Sequence, residues 1–412
     1  MAAGPLNGIR VLDFTHVWAG PLGTRILGDL GAEIIKVEAP LARGPAALPA
    51  GTPVVASVYG DDHWNRQGVT NKLNRNKLGL CIDGKSDQGR EVLIDLIRHS
   101  DIVVENFSAN AMSDLGLGWD DMRLVNPSII YVAMPGFGHS GPHRDFVAYG
   151  TIVEPMCGLT SFMGYSADEP RVTATATPDA CAGTTLAATV VTALHRRDKE
   201  GIGGYIELAL QEAAIVFLGE YFLMAQIDAP PSCSGNGHAD YSPHGIYRCA
   251  GDDHWIAIAT QNESEWQALS TNAGLGWASD GRFTTLEDRI KNRLALDEII
   301  QSWTLGFDKT ELMVQLQNVG VPAGAVQVTE EFLTDPQSLN RRFFTELGGD
   351  HIDTKLYPGL PMRTNGVRGE NWRPAPKLGE HNHKILSELL DMDDASIKAL
   401  EESGILRTSP PE

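Results

Sequence analysis

The chain has 412 residues, of which 42% are hydrophobic and 21% charged; this composition is ordinary for a globular protein, and the length suggests two or three domains. Its 33 Lys and Arg stand against 53 Asp and Glu, giving a net charge of -20, so nucleic acid and anionic membrane are poor partners and a small anionic ligand would need a local basic patch. No apolar run reaches the ~18 residues that span a bilayer, no secretory signal opens the chain, and five scattered cysteines without a C-x-x-C read as reduced thiols in a cytoplasm.

The first 135 residues alternate strand and helix patterns. Ile9 to Phe14 is a β-rich run, and Pro21 to Leu30 reads as a helix stopped by Gly31. Ala32 to Val37 is a second strand, Gly89 to His99 a helix, and Asp101 to Val104 and Ser128 to Met134 two further strands. Short apolar strands separated by helices indicate an α/β fold, with a parallel sheet covered on both faces. Residues 180 to 194 are nearly free of charge and read as a buried helix, followed by a strand at Tyr205 to Leu208 and a helix at Gln211 to Gln226. The character changes near 232. Gly245 to Cys249 and His254 to Ala259 read as two antiparallel strands, and polar helical sequence continues to about Leu316. We place a smaller α+β domain at 232–330. The remainder, 331–412, is turn-rich between Pro358 and Pro376 and helical at Lys384 to Leu390.

Four motifs invite chemistry. Gly136-Phe137-Gly138-His139-Ser140-Gly141 fits G-x-G-x-x-G, but Pro142 follows it and no helix packs behind, so it reads as a turn and not as a dinucleotide site. The pair His238 and His244 and the run Glu380-His381-Asn382-His383 lack the spacing that puts two ligands on one helical face, and no metal is expected. Asn71 to Lys77 puts three cations in seven residues; it is either a solvated loop or a phosphate-binding patch. Asp179 opens the long apolar helix after Thr-Ala-Thr-Ala-Thr-Pro. It reads first as an N-cap, but a carboxylate held at a helix N-terminus is also positioned as a nucleophile.

Taken together, several segments resemble the class III CoA-transferase family, which includes formyl-CoA transferase, the carnitine and bile-acid CoA-transferases and α-methylacyl-CoA racemase. They are Gly8 to Thr15, Ala19-Gly20-Pro21, Leu30 to Glu38, Leu73 to Lys77, Val104 to Phe107, Gly136 to Pro142, Asp179, Gly235-Asn236, Pro243 to Gly245, Gly320 to Gly324 and Leu378 to His381, in matching order along nearly the whole chain. The resemblance implies a Rossmann-like large domain built from residues 1–231 and 331–412, the small domain inserted between them, and an interlocked homodimer. It implies an enzyme that moves coenzyme A from a donor acyl-CoA to a small carboxylic acid, with no permanently bound cofactor. The nucleophile falls on Asp179, ionised at neutral pH with a reference pKa of ~3.9. CoA contacts fall on Val17, Trp18 and Ala19, on Leu73, Asn74, Arg75 and Asn76, on Asn106, Phe107 and Ser108, and on Val147, Ala148 and Tyr149, with Arg75 as a phosphate ligand. Gly235, Asn236 and Gly237 fall on a mobile glycine loop over the substrate, and the pocket is shaped by loops within 40–70 and 225–245.

Three departures bear on substrate. Trp18 replaces a glutamine of formyl-CoA transferase, Ala39 replaces an arginine, and Ser-Gly-Asn-Gly replaces a run of four glycines. They argue against formate or oxalate and for a larger, more apolar acyl group. Two alternatives are a 2-methylacyl-CoA racemase and a non-catalytic CoA-binding protein. The racemase branch uses a histidine where Tyr149 stands, and a tyrosine, with a reference pKa of ~10, is a poor base at neutral pH; His143 is the nearby substitute.

Overall fold

The protein is described here by a computed structural model covering residues 4–40, 64–166, 168–227, 233–363 and 372–410. Most of the 40–70 loop and residues 228–232 lie outside the described residues. Six strands form one all-parallel sheet: β1 (Arg10–Asp13), β2 (Glu33–Glu38), β3 (Lys77–Cys81), β4 (Ile102–Glu105), β5 (Ile130–Ala133) and β6 (Gly204–Glu207). Their order, β3-β2-β1-β4-β5-β6, is that of a doubly wound nucleotide-binding sheet. Successive residues point to opposite faces, and both faces are buried: Leu12, Ile35 and Val103 lie in one hydrophobic cluster, Val11, Ile34 and Val104 in the other.

The C-terminal segment completes the first cluster. Ile385, Leu386, Ile397 and Leu400 come from helices Asn382–Leu390 and Asp394–Glu402 and pack on that face of the sheet. The second face is covered by α1 (Ala19–Asp29), α2 (Gly150–Met156) and α3 (Thr177–Glu200). Contacts partition the chain into two compact units. One consists of Met1–Leu159, Val172–Leu223 and Asn340–Glu412, the other of Thr160–Arg171 and Met224–Leu339. The second unit holds the antiparallel pair His244–Arg248 and Trp255–Ala259, joined by a third strand, Ala323–Ala325. Its own core is built on Trp266, Phe283 and Leu312.

Three elements depart from the sequence expectations. The basic segment Asn71 to Lys77, expected to be a loop or patch, runs from a short helix, Gly68–Asn74, into the buried edge strand Lys77–Cys81. The expected helix Gln211 to Gln226 is broken into helices Leu210–Ile215 and Gly219–Gln226 with a short 3-10 turn between them. A β-hairpin, Phe344–Gly349 with Ile352–Pro358, was not anticipated.

The crossing of α1 and α3 needs two glycines. A Cβ on Gly23 would lie 2.5 Å from Leu186 Cδ2 and 2.7 Å from the Gly183 carbonyl oxygen. A Cβ on Gly183 would lie 2.6 Å from the Ala19 carbonyl oxygen. The backbones therefore touch, and no side chain can separate them. Gly183→Ala is expected to destabilise the protein by about 1–3 kcal/mol through overpacking, measured by urea unfolding. Gly68→Ala, at an exposed helix start where a Cβ meets nothing within 4 Å, should be neutral or slightly stabilising; equal losses at both sites would refute the close-crossing argument.

Candidate active site

Asp179 sits in the first turn of α3, but it is not the cap of its own helix. The residue before the helix is Ala176, in the left-handed conformation at φ 47, and it makes no side-chain cap bond. This corrects the N-cap expectation. The Asp179 N–H donates to the Ala176 carbonyl at 3.0 Å, and the Asp179 carboxylate is instead favoured in its charged form by the backbone N–H groups of Ala19, the first residue of α1, and of Asp179 itself. It thus faces the start of a neighbouring helix, whose own preceding residue, Trp18, offers no side-chain bond. Two helix N-termini, each carrying partial positive charge, converge on one carboxylate. Gly150, at the start of α2, closes a third side: a Cβ there would fall 1.7 Å from Asp179 Oδ2. Asp179 is 8% exposed. Burial outweighs the two N–H donors and pushes its carboxyl up to about 6.

The loop that delivers Ala19 is pinned residue by residue. Asp13 Oδ1 accepts the Thr15 N–H (2.9 Å) and its hydroxyl (2.6 Å). The Lys36 ammonium donates to the Thr15 carbonyl. Asn106 grips the next residue from both sides, accepting the His16 N–H at 2.6 Å and donating to the His16 carbonyl at 2.8 Å. Val17 then turns with φ 65. Trp18 is half-buried, and the Lys72 ammonium lies 5.2 Å from the centre of its ring.

The basic segment is largely internal. Leu73 is in the core. Asn74 donates to the Thr70 carbonyl and accepts from Lys77 Nζ at 2.9 Å. Lys77 Nζ also meets Asp13 Oδ2 at 2.9 Å, both side chains being fully buried. Arg75 is fully buried, forked onto Asp29 at 2.9 and 2.6 Å, bonded to the Pro358 carbonyl at 2.5 Å and stacked on Trp372. Asn76, in the left-handed conformation, donates to Asp29 Oδ1 at 2.7 Å. The side chains expected to meet CoA at 73–76 are therefore turned into the fold. Arg75 is engaged in an internal ion pair, and of the three cations only Lys72 reaches the surface. Its ammonium is pushed below the ordinary lysine value by burial and by Arg25 and Arg75 nearby.

Phe107 borders an open cleft of about 490 Å³ that is also lined by Lys85, Arg90, Ala111 and Asp114. Ser108 beside it is exposed. Lys85 and Arg90 went unremarked in the sequence because they resemble ordinary surface charges next to an amphipathic helix. Val147 and Tyr149 are exposed just before Gly150, and Ala148 packs so closely on Gly136 that a Cβ there would lie 2.0 Å from its own. Gly138 and Gly141 take positive φ, and the segment forms a turn after β5. His143 is stacked on Phe146, with ring centres 4.6 Å apart. Gly150 itself carries no sequence signal, since its need for a bare Cα arises only from tertiary contact.

In the second unit, Gly235, Asn236 and Gly237 form a tight turn. The Gly237 N–H donates to the Ser234 carbonyl, and the Asn236 carbonyl lies 2.8 Å from His244 Nδ1. These residues line an open cleft of about 500 Å³ with His244, Ile258 and Gly324. Among the described residues no cluster of three His, Cys, Asp or Glu could hold a metal ion, and no helix is long and apolar enough to cross a membrane.

Comparison with known proteins identifies the family and the fold. The profile of CoA-transferase family III matches residues 6–382. The succinate–glutarate CoA-transferase of Agrobacterium fabrum is 32% identical over 391 residues, covering 93% of this chain and 96% of the relative. A formyl-CoA:oxalate CoA-transferase of Streptomyces coelicolor is 29% identical, covering 98% of this chain and 100% of the relative. The crystal structure of a CAIB/BAIF family protein from Brucella suis superposes with a TM-score of 0.82 at 27% identity, over 94% of this chain and 100% of that one. The chain belongs to CoA-transferase family III and is a CoA-transferase.

Proposed function

We propose that this enzyme moves CoA from a donor acyl thioester to an acceptor carboxylic acid through covalent intermediates on Asp179. The observation that carries the reading is the carboxylate itself: nearly buried, walled by Gly150, and set where two helix N-termini meet. A carboxylate Oδ attacks the donor carbonyl carbon, the C–S bond breaks, and CoA leaves as the thiolate, giving a mixed anhydride. The thiolate attacks Cγ of Asp179, expels the donor acid as its carboxylate, and leaves an aspartyl-CoA thioester. The acceptor carboxylate attacks Cγ and releases the thiolate. That thiolate then attacks the acceptor's acyl carbon, forming the product thioester and freeing Asp179. Each step exchanges one acyl bond for another, so no external energy source enters. The Ala19 N–H is a fixed donor for the oxygen on Cγ, where negative charge builds in two of the four attacks.

CoA is a polyanion, and the cleft beside Phe107 offers Lys85 and Arg90 as its phosphate contacts in this reading. Trp18 with Lys72 above its ring suits an acid with an apolar chain and a second, distal carboxylate, in keeping with the succinate and glutarate in the name of the Agrobacterium relative. The Gly235–Gly237 turn belongs to the reading as a substrate contact. A homodimer fits the exposed apolar residues Val216, Phe217, Leu223 and Ile227 in and beside helix Gly219–Gln226, which has no buried residue.

Four outcomes follow. Incubation with succinyl-CoA and hydroxylamine should leave a hydroxamate on the Asp179 peptide, absent in Asp179→Ala, which should still bind CoA; a fully active Asp179→Ala would end the covalent reading. Asp179 must be ionised to attack, so kcat/KM should fall about tenfold per pH unit below about 6 and level off above it. The same raised carboxyl costs stability: the penalty is absent below the unfolded value of ~3.9, grows as pH rises to about 6, and then stays constant. Asp179→Asn should therefore be more stable than the parent at pH 7.5 by about 1–3 kcal/mol, with the difference vanishing near pH 4, read from urea unfolding at both pH values. Lys72→Ala should raise KM for glutarate by about tenfold and leave a monocarboxylate of equal length unchanged; equal effects on both acids would remove Lys72 from the substrate site.

A further inference from the structure

Val17 is the strained residue of the site. It is β-branched, its side chain is 53% exposed, and it holds φ 65. A left-handed conformation is rare for such a side chain and persists only where the surroundings over-determine it. Burial of Val17 does not supply that constraint. The residues before it do: Thr15 is held by Asp13 and Lys36, and His16 by the two bonds from Asn106. After it, the chain enters α1 at once, with the Leu22 N–H already donating to the Trp18 carbonyl at 3.0 Å. The carbonyl gripped by the Asn106 amide belongs to the same peptide group as the Val17 N–H. Fixing that plane fixes the start of the turn that ends at the Ala19 N–H.

We propose that Asn106 is a positioning residue for Asp179: its double hydrogen bond to His16 holds Val17 in the left-handed turn that aims the Ala19 N–H at the nucleophile. The proposal rests on Asp179 as the nucleophile, and it assigns Asn106 a role other than the CoA contact that its sequence position suggests. One Asn106 oxygen and one amide hydrogen are already committed to the His16 backbone. Glu105 beside it works in the same way on the following residue, accepting the Phe107 N–H at 2.7 Å and the Tyr131 hydroxyl at 3.0 Å. The end of β4 thus organises two adjoining loops through its side chains.

The test uses the full-length protein and four forms: the parent, Asn106→Ala, Val17→Gly and the double variant. Glycine adopts positive φ at no steric cost, so the turn no longer needs forcing. With succinyl-CoA and glutarate, Asn106→Ala should lower kcat about 10- to 100-fold, leave KM for succinyl-CoA within about twofold, and move the acid limb of the pH profile upward because the carboxylate has lost a donor. Adding Val17→Gly should recover about tenfold of kcat. A raised KM with unchanged kcat and pH limb, and no recovery in the double variant, would make Asn106 a CoA ligand and overturn the proposal. A readout independent of turnover is the ¹³C-carboxyl NMR titration of Asp179, assigned by the loss of its signal in Asp179→Asn. The titration should shift upward in Asn106→Ala and return toward the parent in the double variant; an unmoved titration would also overturn the proposal. If the parent never forms an adduct on Asp179, the covalent mechanism falls, and this titration still decides the clamp. Should Asn106→Ala fail to fold by circular dichroism, Asn106→Asp, which keeps the acceptor for the His16 N–H and loses the donor to its carbonyl, takes its place with the same expected directions.

Discussion

The site depends on the close crossing of α1 and α3. Helices with ordinary side chains at their contact pack with axes 8–10 Å apart, and at that spacing the first turn of one does not reach a carboxylate on the other. Gly23 and Gly183 let the two backbones touch. The N–H of Ala19 is then close enough to act on the Asp179 carboxylate across the gap between helices. Glycine in a helix interior costs roughly 0.5–1 kcal/mol relative to alanine. Here that cost is offset by a contact that no larger residue permits.

Beneath this crossing lies a layer of buried charge. Asp13 accepts Thr15, Thr24 and Lys77, and Asp29 accepts Arg75 and Asn76. Lys77 is pushed down to about 8 because burial outweighs its attraction to Asp13, and Lys36 nearby adds repulsion. Asp13, with two ammonium groups beside it, is held far below the ordinary carboxylate range despite its burial. Buried pairs of this kind add little net stability over an apolar core, but breaking one leaves an uncompensated charge. Their effect is geometric: Asp13 fixes Thr15 on one side and the strand bearing Lys77 on the other, so the loop leading to Ala19 starts from a rigid base.

The sequence made the sheet legible because Val11-Leu12, Ile34-Ile35 and Val103-Val104 are adjacent apolar pairs, and only a strand buried on both faces wants both members. The apolar run after Asp179 likewise announced α3. The basic segment was misleading for a physical reason. Lys77 and Arg75 look solvent-seeking, and their partners Asp13 and Asp29 lie 64 and 46 residues away, so local pattern could not reveal that the charges are neutralised inside. Asp179 was legible as a chemically special residue, but its reading as the cap of its own helix was wrong, and its proximity to the Ala19 N–H, 160 positions upstream, arises only from tertiary packing. Gly150 and Asn106 belong to the same class: the one is defined by a Cβ that would collide with Asp179, the other by two bonds to a loop 90 residues away.

The electrostatics of Asp179 reconcile two demands. A nucleophilic carboxylate is more reactive when water is removed, yet removal of water favours the protonated form, which cannot attack. Burial without those N–H groups would raise its carboxyl further. The backbone N–H groups of two convergent helix ends offset part of that rise and leave it at about 6. In the covalent mechanism proposed above, the same N–H groups would act more strongly when charge returns to the Cγ oxygen during attack by the thiolate or the acceptor acid. On that proposal, one arrangement both keeps the resting nucleophile ionised and stabilises the intermediates formed on it. This is why the precision of the Ala19 N–H, and of the strained turn behind it, matters more to the reaction than the number of charges around the site.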